Sequence, residues 1–318
     1  MRVRPALLAL LGGVSAGVVW LRRLDAALAA ADEPCAPEEL LLPPGQARTV
    51  TTDDGADLAM TVAGEGPTIL LSHCWTGARE IWAPVAHRLV RSGFRVVLYD
   101  QRGHGSSTVG TGGLSLERLG DDLRAVLESV DARDAVLAGH SMGGMSIMAL
   151  ALQHPVVLHE RARALVLVST KAERLGDGRN EALNLRIVAS PLVERLMRTR
   201  YGYLLVRDYV GPHRRLVPML RTRDSFVACA ALTRHTLLGA MHAMDLRDGL
   251  PHVKLPTTVV VGGHDALTPR RGAEQIVSLL PDAHLEVLPE SGHMLPLEDP
   301  DAITELIVRA ASGASGGT

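Results

Sequence analysis

The sequence predicts an α/β fold: a mostly parallel sheet between helices, with an antiparallel hairpin at its start and a helical insertion late in the chain. Short, almost wholly apolar runs recur along the chain, as expected of strands covered on both faces. Helical patterns alternate with these runs, which favours parallel strands joined by crossovers. A chain of 318 residues, 47 % of them hydrophobic, can also bury a large core without disulfides or metals.

The strands can be placed individually. Arg48–Thr52 and Ala56–Val62 flank the turn Asp53-Asp54-Gly55 and predict the hairpin. Six buried strands follow, at Thr68–Ser72, Arg95–Tyr99, Ala135–Ala138, Ala164–Val168, Thr257–Val261 and His284–Leu288. Helices are predicted at Ile81–Arg91, Ser115–Ser129, Met142–Leu152, Arg270–Leu280 and Pro300–Ala311.

The interval between Ser169 and Leu255 breaks this alternation, because it contains no convincing strand. It has helical patterns at Glu181–Val188, Leu192–Arg200 and Phe226–Met241. A long connection with secondary structure of its own is usually functional. Residues 171–254 are therefore predicted to be a helical lid, inserted into a core of residues 48–170 and 255–312.

The methionines of this interval allow two interpretations. Met219, Met241 and Met244 could line an adaptable acyl pocket, since methionine fills irregular apolar sites. Packing between helices explains them equally well, and the sequence does not decide between the two.

The N-terminal residues 1–30 contain an apolar run, residues 5–21, with arginines on both sides. The run approaches the ~20 apolar residues that a membrane-spanning helix needs, so membrane association is the favoured prediction. A signal cleaved near Ala27-Leu28-Ala29, which would make the protein exported, and an ordinary N-terminal helix remain alternatives. Residues 31–47, rich in proline and acids, predict a linker, and residues 313–318 a flexible tail.

Composition argues against several functions. The formal net charge of −2 gives no reason to expect nucleic acid as a partner. Cys35, Cys74 and Cys229 form neither a disulfide framework nor the C-x-x-C pair of a zinc site. The glycines Gly103-x-Gly105 lack the longer pattern of a dinucleotide site and its following helix. Neither a metal nor a cofactor is therefore expected.

The segment Gly139-His140-Ser141-Met142-Gly143 matches the G-x-S-x-G pattern of a nucleophile elbow. A buried strand ends directly before it and a helix starts directly after it, which is the context that such an elbow requires. The sharp turn would raise the hydroxyl of Ser141 above the sheet and direct the N–H of Met142 toward a reacting carbonyl. A serine that merely caps the helix is the alternative.

An acid and a histidine follow in the order that this kind of site needs. Asp265 comes just after the strand Thr257–Val261, and His293 lies in a turn after the next strand. Because parallel strands end at one edge of the sheet, all three side chains are expected to meet there. Ser141 is predicted to be the nucleophile, His293 the base and Asp265 the acid that orients the base.

Two other residues are less suitable as the base or the acid of this site. His264 precedes the acid, which is the wrong order, so it is interpreted as a loop residue or a supporting contact. Asp299 lies at the start of a helix and is interpreted as its capping acid.

With these motifs the chain resembles the α/β-hydrolase superfamily, and most of all its small-molecule esterases, perhydrolases and enol-lactonases. The resemblance extends from about Thr49 to Ala311, apart from the lid. Its motifs are Tyr99-Asp100-Gln101-Arg102-Gly103-His104-Gly105-Ser106-Ser107, the elbow with Gly144, Gly263-His264-Asp265 with Thr268-Pro269, and Ser291-Gly292-His293-Met294-Leu295-Pro296-Leu297-Glu298.

The resemblance also implies an oxyanion hole. The backbone N–H groups of Trp75 and Met142 would hold the oxyanion. Cys74 stands where the family usually has glycine, which puts the backbone of this loop in question. A buried, packing cysteine is favoured over a reactive thiol. Asp100 and Arg102 are predicted to brace this loop rather than to act on substrate.

The function predicted from the sequence is hydrolysis of a small to medium apolar carboxylic ester through an acyl-enzyme. An enol-lactonase, a C–C bond hydrolase or a cofactor-free perhydrolase with the same three residues is the alternative among enzymes. A serine at position 141 argues against epoxide hydrolases and dehalogenases, which need a carboxylate there. A hydrolase-like module that binds a ligand with little turnover is the alternative of another class.

Overall fold

The computed structural model describes residues 33–176 and 180–313. Its sheet has eight strands: β1 Gln46–Thr51, β2 Asp57–Ala63, β3 Thr68–Ser72, β4 Arg95–Tyr99, β5 Ala135–His140, β6 Ala162–Val168, β7 Thr257–Gly262 and β8 Ala283–Leu288. Every strand predicted from the sequence is present, with ends within two residues of the prediction.

The strands lie in the order β1-β2-β4-β3-β5-β6-β7-β8. β1 pairs with β2 and β2 pairs with β4 in antiparallel fashion, whereas all later pairs are parallel. The predicted fold class is therefore confirmed. Because β5 to β8 are consecutive and parallel, their carboxyl ends lie along one edge of the sheet.

The helices of the core are α1 Ala83–Arg91, α2 Leu116–Ser129, α3 Met142–Gln153, α4 Pro155–Arg161, α9 Arg270–Leu279, α10 Leu295–Glu298 and α11 Pro300–Ser312. The side chain of Asp299 accepts the N–H of Ala302, so the predicted capping role of Asp299 is confirmed. α4 was not predicted. It starts at Pro155, whose fixed φ suits the first turn of a helix, directly after α3 has ended.

Between β6 and β7 lie α5 Glu181–Val188, α6 Pro191–Met197, α7 Leu216–Ala228 and α8 Ala231–Ala243, with 3-10 helices at Gly202–Tyr209 and Arg247–His252. The sequence predicted one helix over Phe226–Met241, but the chain becomes extended at Cys229 and Ala230. Arg234 explains the break, because its Nη1 donates to the carbonyls of Phe226 and Cys229, at 2.7 and 2.6 Å.

The sheet separates two apolar cores. One contains α2, α3 and the side chains of β5 that face them, including Leu137, together with Met241 and Met244 of the insertion. The other contains Trp82 from the 3-10 helix at Arg79–Trp82, α1 and α11. The strands are thus covered on both faces, which is why their sequences are almost wholly apolar.

The predicted N-terminal anchor at residues 5–21 lies outside the described residues. Within the part of the chain that the structure describes, no helix combines the length and the apolar character needed to cross a bilayer.

Candidate active site

Ser141, Asp265 and His293 follow β5, β7 and β8, and they therefore lie at the same edge of the sheet. All three are almost buried, with exposed fractions of 8 %, 6 % and 5 %. Polar side chains of this kind are buried in a folded protein only where hydrogen bonds or a function compensate for the lost hydration.

Ser141 occupies a strained turn. Its φ of 53° and ψ of −113° belong to a region that side chains other than glycine rarely adopt. Its N–H donates to the carbonyl of Val168 at 2.8 Å, which fixes the turn to β6. The hydroxyl of Thr170 donates to the Ser141 carbonyl at 2.8 Å. Hydrogen bonds to β6 and to the residues just after it thus hold the turn in place. A strained residue persists only where its surroundings fix it in this way.

The glycines of the motif are required by close approach. A Cβ on Gly139 would lie 2.5 Å from the carbonyl carbon of Gly143, and a Cβ on Gly143 would collide with the carbonyl of Ser72. The second contact brings the elbow directly against the end of β3, where the loop carrying Trp75 begins. Strand, turn and helix therefore meet here as the sequence pattern predicted.

His293 and Asp265 form a buried pair. His293 Nδ1 donates to Asp265 Oδ2 at 2.9 Å, which leaves His293 Nε2 as the ring nitrogen that can accept a proton. Burial acts to raise the pKa of Asp265, but His293 and the hydrogen bonds of Thr268 outweigh it and lower this pKa to about 2. Asp265 is therefore ionised at neutral pH, as an acid that orients a histidine must be.

Thr268 belongs to one of the sequence motifs, but the sequence predicts no role for it. Its hydroxyl donates to Asp265 Oδ2 at 2.7 Å, and its N–H and that of Leu267 donate to Oδ1, both at 2.9 Å. Side-chain acceptance of N–H groups two and three residues ahead is an Asx-type turn, so the spacing Asp-x-x-Thr was a usable signal. His264 is exposed, which agrees with its interpretation as a loop residue.

His140, the variable residue of the elbow motif, contacts the candidate base. Its Nε2 donates to the carbonyl of His293 at 2.8 Å, and the two ring centroids are 5.1 Å apart. Burial lowers the pKa of His140 to about 3, so this ring is neutral. A hydrogen bond therefore joins His140, the residue next to Ser141, to the backbone of His293. The Ser141 hydroxyl itself makes no hydrogen bond to any described residue, His293 included.

Glu298 holds the loop of His293, a role that the sequence motif containing Glu298 did not reveal. Its Oε2 accepts the N–H of Gly292 at 2.9 Å, and its Oε1 accepts that of Met294 at 2.8 Å. The N–H of His293 between them donates to the carbonyl of Tyr209 at 2.8 Å. No local pattern could have revealed the contact with Tyr209, because the two residues are far apart along the chain.

The loop after β3 has an ordinary backbone at Cys74. The residue with left-handed φ in this loop is Thr76, at 61°, so cysteine in place of glycine causes no strain. Cys74 is buried, and burial raises the pKa of its thiol to about 12, which agrees with a packing role. The N–H of Trp75 has no acceptor among the described residues, and neither has that of Met142 in the first turn of α3.

Buried side chains fix this loop from below. His73 Nδ1 donates to the Cys74 carbonyl at 2.8 Å, and His73 Nε2 accepts the N–H of Gln101 at 2.9 Å. The Gln101 side chain in turn joins the His73 carbonyl to the hydroxyl of Ser146 in α3. The loop is thus connected to the helix that follows the elbow, through residues with no predicted role.

The predicted bracing by Asp100 and Arg102 is right for one residue and wrong for the other. Asp100 Oδ1 accepts the N–H of Arg79 at 2.9 Å, just beyond the loop. Arg102 instead makes a two-point ion pair with Asp122 of α2, at 2.7 Å for both bonds, and contacts Asp54 in the turn between β1 and β2. Its side chain therefore reaches α2 and the turn between β1 and β2 rather than the loop of Trp75.

Side chains of the inserted segment and of the core form an apolar cluster beside the loop of Trp75 and the loop of His293. It consists of Cys74, Ile81, Met197, Tyr203, Val206, Val210, Met219, Phe226, Met294 and Leu297, with Trp75 packed against it. The rings of Trp75 and Phe226 meet edge to face at 6.4 Å between centroids. Met219 is therefore beside the site, whereas Met241 and Met244 belong to the core.

The residues described offer no group of three or more histidine, cysteine, aspartate or glutamate side chains that could hold a metal ion.

Known proteins similar to this chain share its fold. The family model described as alpha/beta hydrolase fold matches residues 67–300. The protein named "Putative carbamate hydrolase RutD" of Azorhizobium caulinodans is 27 % identical over 257 residues, which are 80 % of this chain and 94 % of that protein. The structure of a thermophilic esterase from Thermogutta terrifontis is 28 % identical, with a TM-score of 0.71, and covers 84 % of this chain and 98 % of its own. The enol-lactonase from Burkholderia xenovorans LB400 is 26 % identical, with a TM-score of 0.72 and coverage of 83 % and 100 %.

The chain belongs to the α/β-hydrolase fold family, because the family model spans more than half of it. It is an enzyme of that family, and its relatives carry the names hydrolase, esterase and lactonase.

Proposed function

We propose that the protein is a serine hydrolase that cleaves carboxylic esters, with Ser141 as nucleophile, His293 as base and Asp265 as the orienting acid. The observation that carries the proposal is the ionised Asp265 bound to His293 Nδ1, at the sheet edge where Ser141 occupies a strained elbow. An aspartate in this position fixes the tautomer in which Nε2 can take a proton. The strained turn presents the hydroxyl at the end of the strand.

The reaction follows from these roles. Ser141 Oγ attacks the ester carbonyl while its proton passes to His293 Nε2, and the negative charge collects on the carbonyl oxygen. The free N–H groups of Trp75 and Met142 would hold that oxygen, and the first turn of α3 adds its positive dipole end. His293 then gives the proton to the departing alcohol. Water, deprotonated by His293, releases the acid and restores Ser141.

The proposed substrate is a small to medium ester with an apolar acyl or alcohol part. The side chains over the loop of Trp75 are apolar, among them Met219, Phe226 and Met294. A ligand site lined in this way gains affinity from apolar burial and places few polar groups against the substrate.

The experiment is labelling by a fluorophosphonate probe, with ester turnover measured in parallel. The wild-type protein should be labelled, and Ser141→Ala should lose both labelling and turnover, by ~10⁴-fold or more in kcat, because the nucleophile is gone. The control is Ser278→Ala, an exposed serine of α9, which should retain both. Undiminished turnover by Ser141→Ala would refute the proposal. An unlabelled and inactive wild type would favour a binding module instead.

The same three residues allow an enol-lactonase, C–C hydrolase or perhydrolase activity, and one similar structure is an enol-lactonase. A substrate panel separates these activities. It would compare p-nitrophenyl esters of increasing chain length with a lactone, a carbamate, a β-diketone and peracid formation from a carboxylic acid and peroxide. We expect the highest kcat/KM for an apolar ester. A preference for short, charged substrates would contradict the proposed substrate class.

A further inference from the structure

We infer that Glu298 is a positioning residue that fastens the loop of His293 to the inserted segment, so that the base is aligned only while this segment is seated. The inference rests on the proposed function, since it assigns His293 as the base. The contact between Glu298, Gly211 and Gly292 is called the lid junction below.

The hydrogen bonds of the lid junction cross between two parts of the chain. Glu298 Oε2 accepts the N–H of Gly292, beside the base, and also that of Gly211 in the inserted segment, at 2.9 and 2.6 Å. A single carboxylate oxygen therefore bridges the histidine loop and the segment. The carboxylate is almost fully buried, so water is a poor substitute for either donor.

The backbone of the base is bound to the same stretch. The N–H of His293 donates to the carbonyl of Tyr209, two residues before Gly211. Arg215, four residues after Gly211, donates from Nη1 to the Glu298 carbonyl at 3.1 Å. Contacts before, at and after Gly211 thus attach the segment to the stretch that carries the base.

The two glycines allow this approach. A Cβ on Gly211 would lie 2.6 Å from the carbonyl oxygen of Glu290 and 2.9 Å from the N of Gly292. A Cβ on Gly292 would lie 2.5 Å from the N of Gly211. The backbones touch here, so a methyl group at either position must push the segment and the histidine loop apart.

The lid junction also affects how substrate reaches the site. Ser141, Asp265 and His293 are almost buried, and apolar side chains of the inserted segment pack against Met294, which follows His293, and against Trp75. On this arrangement, substrate entry would need the segment to move. Movement at Tyr209–Gly211 would remove the acceptor of the His293 N–H and one of the N–H donors to Glu298. The base would regain its position when the segment closes over the substrate, which confines proton transfer to the closed state.

The test uses Gly211→Ala and Glu298→Gln, with Gly239→Ala as the matched control. Gly239 lies in α8 of the same segment, where an added Cβ meets nothing nearer than 3.9 Å, so this variant should behave as the wild type. Gly211→Ala and Glu298→Gln should lower kcat by ~10²-fold, because displacement of a reacting group by about 1 Å has an effect of this size. KM should change by less than about threefold, and fluorophosphonate labelling should slow in parallel with kcat.

Amide hydrogen exchange gives a readout that does not depend on activity. In the wild type the N–H groups of Gly211, Gly292 and His293 should give one common free energy of opening, because they open together. In Gly211→Ala all three should exchange faster, while amides of β5 do not change. Glu298→Gln, which adds no heavy atom to the contact, serves if Gly211→Ala fails to fold.

Two results would overturn the inference. One is a raised KM with unchanged kcat in both variants, which would show that the segment only shapes the substrate site. The other is independent exchange of Gly211 and His293. A wild type that is neither labelled nor active would instead refute the proposed function, and the exchange rates would still decide whether the junction opens as a unit.

Discussion

Thr268 shows how much the buried pair of Asp265 and His293 depends on a neighbouring side chain. Asp265 is almost buried, and a buried carboxylate is ionised only if donors surround it. Three of its four donors come from the turn that it starts, at Leu267 and Thr268, and the fourth is His293. Asp265 is thus oriented by a local turn, while His293 contributes most to keeping it ionised and the hydrogen bonds of Thr268 add to this effect.

Removal of one of these donors should weaken the reaction. Thr268→Val keeps the shape of the side chain but removes the hydroxyl that donates to Asp265 Oδ2. We expect kcat for an ester to fall by ~10- to 150-fold with little change in KM, since a hydrogen bond to a charged group contributes about 1.5–3 kcal/mol. The control is Thr304→Val, a buried threonine of α11 that bonds only to the Pro300 carbonyl. Equal kcat values for the two variants would show that the hydroxyl of Thr268 is dispensable.

At the scale of secondary-structure elements, Arg102 joins three of them. Its guanidinium is fully buried and binds Asp122 of α2, Asp54 in the β1–β2 turn and the carbonyl of Gly113. These contacts attach the antiparallel start of the sheet to a core helix. They do not reach the loop of Trp75, so Arg102 stabilises the fold rather than the site.

This placement predicts a loss of stability without a loss of chemistry. Arg102→Met leaves Asp122 buried without its partner, and loss of one member of a buried pair costs about 3–5 kcal/mol. Urea unfolding should show this loss, whereas kcat of the folded fraction should remain within about threefold of the wild type. Arg48→Met, at an exposed position of β1, should change stability by less than about 0.5 kcal/mol. If turnover collapsed while stability was retained, Arg102 would belong to the site after all.

For the whole molecule, the edge that carries the site is also where buried neutral histidines concentrate. Burial lowers the pKa of His73 to about 4 and, with a smaller contribution from neighbouring charges, those of His104 and His140 to about 3. Each ring makes hydrogen bonds that hold the loop of Trp75 or the loop of His293 in place. The packing that fixes the site therefore also makes the fold sensitive to acid.

The sign of the effect follows from the direction of these shifts. Between about pH 6.5, where an unfolded histidine takes up a proton, and pH 4 the unfolded chain binds protons that the folded protein does not. The free energy of unfolding should therefore fall as pH is lowered through this range, by about 1.4 kcal/mol per pH unit for each buried ring. Urea unfolding at pH 7.5, 6 and 5 measures it. His104→Gln should reduce the slope, whereas the exposed His264→Gln should not. A slope that is the same in all three proteins would rule out this origin.

The sequence alone determined the architecture and placed Ser141, Asp265 and His293 at one edge of the sheet. Strands buried on both faces require continuous apolar runs, and the elbow requires glycines at fixed positions around Ser141. Both features can therefore be read from short stretches of the sequence. The order of Ser141, Asp265 and His293, each just after a strand, then followed from the parallel sheet. The turn of Thr268 was also local, and only its role was overlooked.

Tertiary structure alone decided what surrounds these residues. Glu298 acts on Gly211, 87 residues away, and Gln101 acts on Ser146, 45 residues away. The break before α8 depends on a buried Arg234 reaching back to carbonyls, and the direction of Arg102 depends on acids in two other elements. Such contacts depend on which side chains packing brings together, so no pattern of neighbouring residues predicts them. Burial and backbone turns, in contrast, determine which residue types occur in each stretch of chain.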